Sequence, residues 1–189
     1  MSSFESKTYK NFNFAEISIE FGTYEDCIFQ NCNFDSTDLS RISFMECQFI
    51  NCNLSNINVA GTQFNEVTFN QCKMLGIDFS NCKPFLLQMG FSNCQLNFAS
   101  FYQLKLNHTS FTECQMEEVD FVNTSIQHAS FKECNLLNAQ FENTLLENAD
   151  LSEAYNFKIN PQNNYLSQAK FSKNNVIGLL GSFDIYLVD

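Results

Sequence analysis

The chain has no tryptophan, only two prolines and six glycines in 189 residues, and its 10 basic residues are outnumbered by 21 acidic ones. Each scarcity excludes something. So little glycine and proline leaves few loops, and catalytic groups are usually carried on loops over a scaffold. No glycine-rich phosphate loop and no nucleophile elbow is present, and no Cys or Ser stands with a His and an acid in a recognisable arrangement. The expectation is a chain that is not an enzyme and needs no cofactor. A net charge of −11 lacks the positive footprint that nucleic-acid binding requires. The first residues lack a basic segment followed by an apolar one, and no apolar run is long enough to span a bilayer. A cytoplasmic location is expected.

What is present is an apolar residue at every fifth position, with a small residue two places before it. The first half carries Phe14, Ile19, Tyr24, Phe29, Phe34, Leu39, Phe44, Phe49, Leu54, Val59, Phe64, Phe69, Met74 and Phe79. The second carries Phe91, Leu96, Phe101, Leu106, Phe111, Met116, Phe121, Ile126, Phe131, Leu136, Phe141, Leu146 and Leu151. A helix repeats at 3.6 residues and a strand at two, so a sustained five means a solenoid of short identical sides.

A longer period shows how the solenoid closes. Cys32, Cys52, Cys72, Cys94, Cys114 and Cys134 recur every 20 residues with one step of 22. Four pentapeptides therefore make one square coil, and about seven coils stack at strand spacing, roughly 4.7–4.9 Å apart. The extra two residues fall between Phe79 and Phe91, where Leu86 is expected to take the next inward place after Phe64. The predicted organisation is an N-terminal cap over 1–12, the repeat over 13–155, and a C-terminal cap or dimerisation module over 156–189, because bare solenoid ends expose unpaired backbone.

Eight cysteines, Cys27, Cys32, Cys47, Cys52, Cys72, Cys94, Cys114 and Cys134, occupy the inward small position, where a reduced Cys acts as a small hydrophobe. Cys82, in the insertion, is the one expected to be accessible. His108 and His128 lie one coil apart at an outward position, but no triplet with ligand spacing converges on them, so no metal is expected.

Charge is the informative surface property. Residues 13–155 hold 18 acids against five bases. Three acidic columns follow from the repeat: Asp26, Glu46 and Glu66; Asp38, Asp78 and Asp120; Glu113, Glu133 and Glu153. One reading gives them solubility alone. The other has a narrow acidic rod imitating the phosphates of duplex DNA within a basic groove.

The tail abandons the period. Ser172 reads as the N-cap of a short helix through Leu180, with Gly181 at its stop. Phe183, Ile185 and Leu187 then alternate with Asp184, Tyr186 and Val188 as a terminal strand. So short a helix needs a packing partner. The expected homodimer interface comprises Val176, Leu179, Leu180, Phe183, Ile185 and Leu187.

The run Glu147-Asn-Ala149-Asp150-Leu151-Ser, with Thr37-Asp38-Leu39-Ser and Asn138-Ala139-Gln-Phe141, resembles the A-(D/N)-L-X-X unit of pentapeptide-repeat proteins. That resemblance covers about residues 13–155 and implies an all-β fold, the right-handed quadrilateral parallel β-helix. The interruption near 80–86 and the tail resemble the topoisomerase-protecting branch, the Qnr and MfpA-like quinolone-resistance proteins and the microcin-immunity protein. The resemblance implies a dimeric DNA mimic that engages DNA gyrase or topoisomerase IV and antagonises quinolone-like or peptide inhibitors, with no membrane and no small-molecule substrate. The alternatives are a scaffold or adaptor binding another protein along its polar faces, and more distantly an enzyme with a pocket at the tail.

Overall fold

The computed structural model describes residues 2–181, 183 and 185. Its strands are β1 (Ser2–Glu5), β2 (Thr8–Lys10), β3 (Gly22–Glu25), β4 (Ile28–Gln30), β5 (Ser43–Met45), β6 (Gln48–Ile50), β7 (Gln63–Asn65), β8 (Val67–Asn70), β9 (Met89–Ser92), β10 (Ser110–Thr112) and β11 (Ser130–Lys132). All pair in parallel. One sheet has the order β1-β3-β5-β7, the other β11-β10-β9-β8-β6-β4-β2. The register is that of the 20-residue repeat, Phe29 beside Phe49 and Phe49 beside Phe69, and it steps by 22 at Phe69 beside Phe91. Bridges such as Asn33 with Asn53 and Ser100 with Asp120 build the two remaining sides.

Every large residue of the five-residue period is buried. A side only five residues long admits one inward ring, which meets its copies above and below. Phe29 and Phe49 stack at 4.7 Å between centroids, and Phe91 and Phe111 at 5.2 Å with an interplanar angle of 1°. Neighbouring sides meet edge to face, as Phe121 and Phe131 do at 89°. Each fully buried ring contributes roughly 1.5–3 kcal/mol relative to exposure.

The square turns because the residue two places after most inward residues adopts the left-handed conformation. Asn31, Asn51, Asn56 and Asn123 do so at φ of 55°, 51°, 55° and 56°, and Gly61 and Gly76 at 68° and 66°. Asn and Gly suit this region, for which other L-residues pay a steric penalty. Many corners are also closed by a side chain. The carboxylate or amide oxygen of Asp38, Asn58, Asp120 and Asp150 accepts the backbone N–H two residues on, at 2.8–3.0 Å.

The inward small position does more than fill space. Thr62, Thr124 and Thr144 donate to the carbonyls of Leu39, Phe101 and Phe121, each 23 residues earlier, at 2.7, 2.8 and 2.8 Å. Cys27, Cys32, Cys47, Cys52 and Cys72 donate over the same interval at 3.3–3.4 Å. The thiols are thus weak donors to the coil beneath as well as packing groups.

Several expectations are corrected. Residues 2–10 are strands in the ladder, with Ser2 beside Gly22 and Tyr9 beside Phe29, so the coil begins earlier than residue 13. The ladder continues to Lys170, which pairs with Asp150. Leu86 does not point inward: it stands at φ 54° and is 55% exposed, while Leu87 packs against the core. Cys82 is not accessible, because the 3₁₀ turn Phe79–Asn81 folds it inward, its N–H donates to the Phe79 carbonyl, and it is 5% exposed. The tail helix is one 3₁₀ turn, Val176–Leu179, preceded by Asn175. Ser172 instead accepts the Asn175 N–H, and the Asn175 amide donates to the carbonyls of Leu151, Ser152 and Ala154, stoppering the last coil. Gly178 is required there, since a Cβ would lie 2.5 Å from Phe157. Phe183 and Ile185 are not in a strand, and Asp184, Tyr186, Leu187 and Val188 lie outside the described residues. Among the described residues no helix is long and apolar enough to cross a membrane.

Candidate protein-interaction surface

Asp26, Glu46 and Glu66 immediately follow β3, β5 and β7 and turn the chain into β4, β6 and β8, at corners with φ of 50°, 53° and 54°. Glu113 and Glu133 immediately follow β10 and β11, at corners with φ of 53° and 54°. The two acidic columns therefore edge the same seven-stranded sheet, on opposite sides and in opposite halves of its height. Glu153 follows Leu151 at the same place in the repeat and is exposed, without the left-handed backbone. Asp26 accepts from the Ser6 hydroxyl at 2.9 Å. Among the described residues, the side chains of Glu46, Glu66, Glu113 and Glu133 accept no hydrogen bond, and the one ion pair joins Lys170 to Asp150 at 3.5 Å.

The column of Asp38, Asp78 and Asp120 is different. Asp38 pairs with Asn58, and Ser100 pairs with both Asp78 and Asp120, so polar neutral residues separate the charges. These acids are not stacked upon one another, and the repulsion expected of a continuous column is largely absent. They also serve the backbone: Asp38 accepts the Ser40 N–H at 2.9 Å and the Asn58 amide at 2.9 Å. The Ser40 N–H is the chief cause that holds its carboxyl below the usual range. Asp78 accepts from Ser80 and Asn81.

One relationship escapes the sequence. Beyond Glu66, the edge of Asp26 and Glu46 continues through Gln88 to His108 and His128, a continuity hidden by the step of 22. The two imidazoles stack at 4.7 Å and 4°, which keeps their ring nitrogens in parallel planes rather than converging on one ion. No group of three His, Cys, Asp or Glu side chains among the described residues could hold a metal.

At the far end, Val176, Ile177, Phe183 and Ile185 are exposed, Leu180 is half-buried, and Leu179 packs on the core. Leu187 lies outside the described residues. At the insertion Phe85 is 71% exposed.

The sequence pattern of the pentapeptide repeat region matches residues 22–85 and 85–176. The chain is a pentapeptide-repeat protein. No curated protein matches it. Among solved structures this pentapeptide-repeat protein is similar to two trypsin-treated, singly substituted variants of QnrB1, described as a plasmid-mediated fluoroquinolone resistance protein. The first gives a TM-score of 0.65 at 16% identity, covering 99% of this chain and 100% of that one. The second gives a TM-score of 0.66 at 16% identity over 98% and 99% of the two chains. At this identity the likeness establishes the shared solenoid.

Proposed function

We propose that this protein is a non-enzymatic interaction protein of the cytoplasm whose acidic edges occupy the DNA-binding groove of DNA gyrase or topoisomerase IV, protecting the enzyme from quinolone-like or peptide inhibitors. The observation that carries the reading is the placement of Glu46, Glu66, Glu113 and Glu133. They sit at left-handed corners where Asn or Gly is the stable choice, and they find no cationic partner among the described residues. Exposed, unpaired carboxylates on a narrow rod concentrate a negative field that steers a basic partner. The fold shared with a protein described as conferring fluoroquinolone resistance supports a role in protection from quinolone-like inhibitors. In this reading the tail joins two copies through Val176, Leu180, Phe183 and Ile185 of the expected set, with Ile177 beside them in place of Leu179, which packs on the core.

Binding to purified gyrase, measured by calorimetry across a salt series, tests the proposal. Affinity is expected to fall as salt rises and to be lost when Glu46, Glu66, Glu113 and Glu133 become Gln. A second reading, an adaptor for another protein, is favoured by the amide ladder Asn11-Asn31-Asn51, bonded at 3.2 and 3.0 Å along one edge. Absence of gyrase binding at low salt would select it.

A further inference from the structure

Gly90 lies in β9, near the middle of the seven-stranded sheet, and its backbone gives no reason for glycine. Its φ is not left-handed, and a Cβ there would meet only Thr68 Cγ2 at an ordinary 3.9 Å. Gly22, Gly61, Gly76 and Gly178 are each explained by a close approach or a positive φ. Glycine weakens a strand, and a close approach of another group to the backbone is one of the reasons it is kept inside one. Its missing side chain opens a depression of about 350 Å³ bounded by Glu66, Gln88, His108, Thr109 and Ser110.

Thr109 supplies a second, independent observation. It is 5% exposed and occupies the inward small position, yet unlike Thr62, Thr124 and Thr144 it makes no side-chain hydrogen bond among the described residues. The carbonyl it would meet, 23 residues earlier, is that of Leu86, which the insertion has turned outward at φ 54°. The two-residue insertion thus leaves the hydroxyl of this largely buried residue without its usual partner, on the wall of the open depression.

We propose that this depression receives an arginine side chain of a partner protein. Glu66 offers an unpaired carboxylate, and no Lys or Arg lines the site. Thr109 Oγ1 offers an acceptor, and the bare Gly90 backbone offers a flat floor. A planar guanidinium with five donors meets both acceptors at once, which a compact ammonium does less well. Glu46 and Asp26 continue the negative edge for neighbouring basic residues. The inference rests on the reading that a basic protein meets the acidic edges, and it names the contact at the centre of that face.

The probe is acetyl-Gly-Arg-Gly-amide titrated into the full chain to tens of millimolar and read from backbone amide shifts, with the citrulline peptide as neutral control. Saturable shifts at Gly90, Glu66 and Ser110 are expected with arginine only. Binding is expected to weaken roughly tenfold or more in Gly90→Val, Glu66→Gln and the isosteric Thr109→Val. No shifts, equal binding of citrulline, or wild-type binding by Glu66→Gln and Thr109→Val would overturn the proposal. So would a Gly90→Val chain that fails to fold, since the glycine would then be structurally required. No topoisomerase is present, so a negative result leaves the gyrase reading standing, and loss of gyrase binding alone leaves this site standing.

Discussion

The Cys52 thiol donates to the carbonyl of Phe29 in the coil below, across 3.3 Å. The same geometry serves Thr62 toward Leu39 at 2.7 Å, so a hydroxyl can keep the contact, whereas an apolar side chain such as Val67 or Val119 at the same place in the repeat forgoes it. Cys52→Thr is expected to hold stability within about 0.5 kcal/mol, and Cys52→Val to lose about 0.5–1.5 kcal/mol. Cys72→Leu adds volume to a filled column and is expected to cost about 1–3 kcal/mol. Urea unfolding checks all three, and a Val variant equal to Thr would reduce the column to packing alone.

Burial pushes the thiols of Cys47 and Cys82 up to about 12 from an ordinary 9.0. Above pH 9 the unfolded chain therefore releases protons that the folded chain retains. The stability these thiols contribute is complete below pH 9 and is lost as pH rises toward 12. Asp38 and Asp150, held below the ordinary 3.8 chiefly by the Ser40 N–H and the Ser152 hydroxyl, act in the opposite direction, losing their contribution as pH falls below about 4. Urea midpoints are expected to decline at both extremes. All nine thiols, Cys82 included, should react slowly with a thiol reagent at neutral pH until the chain is unfolded. Fast native labelling of Cys82 would contradict the inward turn after Phe79.

The corner glutamates and the turn-closing aspartates should part company on mutation. Glu46→Asn is expected to raise stability by up to about 1 kcal/mol, since Asn tolerates the left-handed corner better. Asp38→Asn should be neutral because Asn58 closes an equivalent turn, whereas Asp38→Ala forfeits the Ser40 contact, about 0.5–1.5 kcal/mol. Thermal melts of the three variants check this ordering. A destabilised Glu46→Asn would show that the carboxylate is structural.

Under the dimer proposal, light scattering should give about twice the 21.7 kDa chain mass. Ile177→Asp with Ile185→Asp removes exposed apolar groups without touching Leu179, so a folded monomer is expected. A wild-type chain that stays monomeric at high concentration would leave the tail as a stopper.

The coil is legible because one physical rule, one inward residue per side, repeats at a fixed interval. Phe29, Phe49 and Phe69 stand where five-residue counting puts them. Counting fails where the interval fails. At the insertion, periodicity alone favours Leu86, but a left-handed residue in an irregular segment turns it out and brings Leu87 in. The Ser172 signal is also ambiguous, since a Ser that accepts an N–H three residues later starts a tight turn as readily as a helix. For the candidate surface, spacing gives the vertical columns. It does not show that Glu66 and Glu113 flank one sheet, or that Asp38 closes a turn while Glu46 does nothing for the backbone.

The most direct test is gyrase supercoiling in the presence of a quinolone while this protein is titrated, with wild type compared against the chain carrying Gln at positions 46, 66, 113 and 133. The account predicts that wild type restores or, at excess, itself inhibits supercoiling, and that the substituted chain, folded and at least as stable, does neither. Equal effects from both chains would contradict the acidic-edge mechanism, and no effect from either would contradict the topoisomerase reading.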